Sequence, residues 1–188
     1  MRRGVLAAVA LVAIGSAPAV HAAKDVAAQA SCLAKQLRRH DGPEGGRASA
    51  MKGHFECFPE DPQRFVALFG AGGTLTADHE AHLELFFAAR PALGERAWSA
   101  KAVGGLAAAE PRTVAASLYS ELLALQLEAR PAALLDTVAK LDDVALAAFW
   151  SALQAGPVGA RVAAAVCAER SAHAACVRRR SLAAGSTK

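Results

Sequence analysis

The sequence predicts an all-α fold: an irregular antiparallel helical bundle, one domain, stapled by disulfides. Three observations carry that expectation. No segment alternates apolar and polar residues over the length of a strand, and β-branched residues are sparse. Pro62, Pro91, Pro111, Pro131 and Pro157 each stand just ahead of a helix-like stretch, where a missing N–H costs nothing. Four cysteines, Cys32, Cys57, Cys167 and Cys176, follow a segment that reads as an export signal.

That signal is residues 1–22. Arg2 and Arg3 precede an apolar run from Gly4 to Gly15, and "SAPAVHA" supplies a small-residue exit, with cleavage expected after Ala22. The run is about twelve residues, too short to span a bilayer, so no stable membrane anchor is expected after cleavage. A lipidated cysteine does not fit either, because "QAS" before Cys32 lacks the required leucine. Residues 23–176 then form the helical domain. Residues 177–188 read as a basic, disordered tail.

The 21 basic and 17 acidic side chains give a formal net charge of +4. Arg2 and Arg3 leave with the signal, and Arg178, Arg179, Arg180 and Lys188 crowd the C-terminus, so the body between is slightly acidic. A nucleic-acid binder would spread its cations along a face, and none is expected here. Aromatics are only 5% of the chain, so the core must lean on leucine, phenylalanine and close helix contacts.

Residues 25–39 place Val26, Ala30, Leu33 and Leu37 on one helix face. The glycine- and charge-rich "HDGPEGGRASAMKGHFE" reads as a loop with room for one short turn. "EDPQRFVALFG" is a compact helix stopping at Gly70, and a helix from about Ala77 turns Leu83, Phe86 and Phe87 inward. Residues 95–109 form a weaker helix, since Gly104 and Gly105 mark either a break or a close helix crossing. In "RTVAASLYSELLALQLEAR", Val114, Leu118, Leu122 and Leu125 read as the inward stripe, widened by Leu123 and Leu127. Residues 131–140 follow as a short helix. Aspartates cap the next, which buries Leu146, Phe149, Trp150 and Leu153 and stops at Gly156–Pro157. A last helix runs from about Val158 through Cys167. "AARPA" recurs as "EARPA" forty residues on, a spacing that paired-helix repeats also show, but an irregular bundle explains the same punctuation.

Four cysteines allow three pairings. The sequential one, Cys32 with Cys57 and Cys167 with Cys176, needs the least coincidence. An unbroken helix would hold Cys167 and Cys176 about 13 Å apart, so their pairing requires the chain to turn near "RSAHA". No C-x-x-C is present for thiol exchange, nor paired short spacings for zinc.

"DHEAH" is the most chemical-looking stretch. His79 and His82 share a helix face and are weak metal candidates, but Leu83 occupies the position where a zinc-protease helix needs its second histidine. The plainer reading has Asp78 and Glu80 complementing a helix N-terminus. "FGAGGTLT" lacks the Lys-Ser/Thr of a phosphate loop, and no nucleophile elbow occurs. No cofactor is expected. Phe55 and Phe58, around Cys57, are candidates for covering one bundle end or for part of an exposed binding patch. Arg178, Arg179 and Arg180 are candidates for contact with acidic surfaces.

The leading expectation is therefore a periplasmic or secreted protein without catalysis of its own, acting on another exported protein as an inhibitor, immunity-type or accessory factor. A hydrolase-like enzyme using Asp78, His79, Glu80 or His82 is the alternative, favoured by a deep pocket gathering them. A metal or small-ligand carrier is a third, requiring His54 or His40 beside His79 and His82.

Overall fold

The computed structural model describes residues 17–42, 46–107 and 113–185. These are helical nearly throughout, with no strand among them, as the sequence predicts. The helices are α1 (Ala17–Asp41), α2 (Arg47–Cys57), α3 (Pro62–Phe69), α4 (His79–Ala88), α5 (Arg90–Leu93), α6 (Glu95–Ala107), α7 (Val114–Ala129), α8 (Pro131–Val138), α9 (Asp143–Leu153), α10 (Pro157–Glu169) and α11 (Ala174–Gly185). Residues 1–16 of the expected signal, Pro111 and Lys188 lie outside the described residues; α1 runs through the expected cleavage junction.

Local chemistry explains most boundaries. Pro62, Pro91, Pro131 and Pro157 occupy the first turns of α3, α5, α8 and α10. The side chains of Asp61, Thr113 and Asp142 accept hydrogen bonds from the backbone N–H groups of Arg64, Ala116 and Ala145, capping α3, α7 and α9. Both sequential disulfides are present, with Cα–Cα distances of 6.0 Å for Cys32–Cys57 and 5.2 Å for Cys167–Cys176. The first ties α1 to α2. The second spans the break at residues 170–173 between α10 and α11, where the chain turns as its pairing requires.

The core is continuous and centres on α4, α6 and α7, where Phe58, Phe65, Phe69, Phe86, Phe87, Trp98 and Tyr119 meet. Gly105 lets α6 approach α7: a Cβ there would lie 2.7 Å from the Tyr119 hydroxyl, which donates to the Ala102 carbonyl at 2.9 Å. The glycine thus marks a close crossing and not a break. Gly105→Ala should cost about 1–3 kcal/mol by overpacking. Urea unfolding tests this, and a variant as stable as the parent would show that the crossing has slack.

Three expectations need correction. "RASAMKGHFEC" is the helix α2 and not a loop with a short turn. Its inward residues are Ala50 and His54, neither of which reads as core in a sequence. On α7, Val114 is 74% exposed and Leu125 49% exposed, while Ala116, Tyr119, Ser120, Leu123 and Leu127 are buried. Small residues face inward there because α10 packs closely, its Gly159 and Ala163 also buried. The expected disordered tail is instead largely the helix α11, sealed by the fully buried Cys176.

Candidate functional site

Most buried polar side chains have a structural task. Helix C-termini leave carbonyls unpaired, and these helices rarely end in a glycine cap. Lys101 donates to the carbonyls of Phe55 and Glu56 at the end of α2. Ser120 lies 3.1 Å from both the Ala152 and Leu153 carbonyls at the end of α9. Arg178 donates to the Ala139 and Leu141 carbonyls beyond α8, at 3.0 and 2.8 Å, and pairs with Asp143 at 2.6 Å. Arg178 is therefore committed to docking α11, which is why the basic segment is helical and not a solvated tail.

Its neighbours are placed differently. Arg179 and Arg180 line a groove between α9 and α11, of about 310 Å³, with Ala147, Trp150, Ser151, Gln154, Leu182 and Ala183. Trp150 is 3% exposed and forms part of the wall. The Arg179 guanidinium lies 5.3 Å from the centre of its ring, a cation–π contact. Arg179 also donates to Gln154 Oε1 at 3.2 Å, and Gln154 donates in turn to the Trp150 carbonyl at 2.9 Å. Arg180 donates to the Ser171 carbonyl at 2.7 Å. Among the described residues neither arginine has an acidic partner within ion-pair distance, unlike Arg178. Partial burial pulls the Arg179 guanidinium below the usual arginine range. Among the described residues the enclosed Trp150 indole N–H finds no hydrogen-bond partner.

The remaining candidates disperse. Phe58 is 1% exposed and stacks on Phe86 at 4.1 Å, so it belongs to the core and not to a binding patch. Phe55 is half-buried, stacked against Phe86 and covered by the Lys101 ammonium at 4.8 Å from its ring centre. Sequence reasoning placed both in a loop because α2 carries no apolar stripe. His79 and His82 do not face a common ligand. His79 Nδ1 donates to the Thr76 carbonyl at 2.7 Å, whereas His82 Nδ1 lies 3.0 Å from His54 Nε2 inside the core. Among the described residues no three His, Cys, Asp or Glu side chains gather as metal ligands.

Of the histidines that a carrier would require together, the structure brings His54 to His82 alone, joining α2 to α4. Both rings are buried, stacked at 5.3 Å, and bordered by Phe58 and Phe69. Burial, aided by His82, His40 and Lys101, lowers the His54 pKa to about 3. Burial also lowers that of His82, against an opposing pull from Asp78. Both shifts favour neutral rings, and among the described residues His54 Nδ1 has no hydrogen-bond partner.

A larger cleft of about 800 Å³ opens between α1 and α3, but Arg64 there is already paired with Asp25 and Asp61. The α9–α11 groove, with two arginines lacking acidic partners among the described residues, is the better candidate site. No helix among the described residues is long and apolar enough to cross a membrane. Comparison with known proteins finds no family model, no curated protein and no solved structure that the chain matches.

Proposed function

We propose that this chain is an exported, non-catalytic binding protein of the periplasm or cell exterior, an accessory or inhibitor-type factor that holds another exported polypeptide. The observation that carries the reading is the α9–α11 groove, where two arginines without acidic partners among the described residues meet aliphatic surface beside Trp150. Trp150 is nearly enclosed and serves as the platform on which Arg179 is held, while arginine is among the residues that most often anchor protein interfaces, because its planar fork gives directed hydrogen bonds. Two disulfides suit an oxidising compartment, and the N-terminal sequence suits export to one.

A photo-crosslinking residue tests the reading in the native host. Placed at Ser151, on the exposed rim of the groove, it should give one discrete adduct with a second polypeptide. Placed at Ala88, exposed on α4, it should give none. The recovered protein should begin at Ala23. No adduct from Ser151, or equal adducts from both positions, would overturn the binding reading, and an intact Met1 in the mature pool would overturn export.

A further inference from the structure

The chemistry of the groove narrows what it can hold. A guanidinium has five N–H donors in a planar fork. Among the described residues Arg179 donates to Gln154 and Arg180 to the Ser171 carbonyl, so both retain donors for an incoming acceptor. Arg179 is stacked on Trp150 and tethered by Gln154, and therefore presents its remaining donors in one orientation with little entropy left to lose. Arg178 does not line the groove, and it is held away by three bonds to the Ala139 and Leu141 carbonyls and to Asp143. Beside the two cations the walls are apolar: Ala147, Trp150, Leu182 and Ala183.

We infer that the α9–α11 groove binds an acidic segment of the partner polypeptide, its carboxylate held by Arg179 and Arg180 and an adjacent aliphatic side chain laid against Ala147, Leu182 and Ala183. The inference rests on the binding reading above and adds the partner's chemistry to it. A carboxylate accepts two parallel N–H bonds from one guanidinium, the geometry this fork offers. Partial desolvation of Arg179 strengthens such a bond beyond its worth at an open surface, where ion pairs contribute little. Free phosphate would satisfy the arginines but leave the apolar wall uncovered. A groove of about 310 Å³ takes two or three side chains and not a whole folded face, so a short segment is the fitting occupant.

The test uses the mature, disulfide-bonded protein and the peptide acetyl-Ala-Glu-Leu-Glu-Leu-Ala-amide, with its Gln-for-Glu counterpart as control. Trp98 packs against Phe86 and Phe87 and does not line the groove, whereas Trp150 does, so a change in tryptophan fluorescence on titration reports Trp150. The acidic peptide should bind saturably, and more weakly as salt rises. Arg180→Gln, on the exposed rim, should weaken it roughly tenfold with the circular dichroism spectrum unchanged. The double variant Arg179→Gln/Arg180→Gln should abolish binding. Equal affinity for the Gln peptide, no effect of Arg180→Gln, no saturable change up to about 1 mM, or inorganic phosphate binding as tightly as the peptide would each overturn the assignment. A crosslink from Ser151 alongside a failed peptide titration would leave the binding reading standing and remove only the carboxylate.

Discussion

Replacing Phe86 with alanine should lower the unfolding free energy by about 3–5 kcal/mol, the range for an enclosed aromatic ring. No solvent reaches Phe86, and its ring meets those of Phe58 at 4.1 Å, Phe87 at 5.4 Å, Trp98 at 5.8 Å, Phe55 at 5.9 Å and Tyr119 at 6.1 Å. Truncation would remove one partner from every one of those contacts and open a cavity at the junction of α2, α4, α6 and α7. Collapse is hindered on three sides. Cys57, next to Phe58, is tethered to α1 through Cys32. Trp98 is held by its N–H bond to the Phe86 carbonyl at 3.1 Å, and Tyr119 by its bond to the Ala102 carbonyl. Urea denaturation of parent and variant measures the difference. A loss under about 1 kcal/mol would show that neighbouring rings refill the space, contrary to this packing.

Acid should destabilise the fold well before the carboxylates begin to protonate. In the folded chain His54 stays neutral down to about pH 3, whereas an unfolded histidine takes its proton near the ordinary value of 6.5. The unfolded state therefore binds more protons through that window, and stability falls as pH falls. One such group loses about 1.4 kcal/mol per pH unit once well below its unfolded pKa, or about 2 kcal/mol between pH 7 and pH 5, and His82 adds in the same direction. The cause is geometric. A second proton on His54 would sit on Nδ1, which is buried and has no acceptor, while the other nitrogen faces His82 and positive Lys101 stands nearby. His54→Gln should be less stable than the parent at pH 7 and should lose less on acidification. Urea midpoints at pH 7 and pH 5 decide the matter. Equal acid losses in parent and variant would place the titrating group elsewhere.

The elements legible in the sequence share one property: their signals lie within a turn or two of chain. Proline in the first turn, aspartate or threonine at the cap, and a glycine stop act through neighbouring backbone groups. That is why α3, α8, α9 and α10 begin close to where the sequence places them. The spacing of Leu146, Phe149, Trp150 and Leu153 likewise names the buried face of α9, because one layer of large side chains covers it. Of the candidate binding residues, only Arg179 and Arg180 line the groove. Nothing in "VRRRS" distinguishes them from Arg178, because the difference is made by the carbonyls of Ala139 and Leu141, some forty positions away.

By itself, then, the sequence determined the all-α class and most helix boundaries, since each follows from the conformational cost of a few contiguous residues, and it favoured the two sequential disulfides among three pairings without deciding them. Only the tertiary structure decided which face of α7 is buried. That choice belongs to the helices packed around it: α10 lies against α7 with its buried Gly159 beside Ser120, a close approach that a row of leucines would prevent. It also decided that α2 is a helix at all. A segment whose inward residues are Ala50 and His54 is helical because α1, α4 and a disulfide hold it against the core, where His54 meets a second histidine that no local pattern could have supplied.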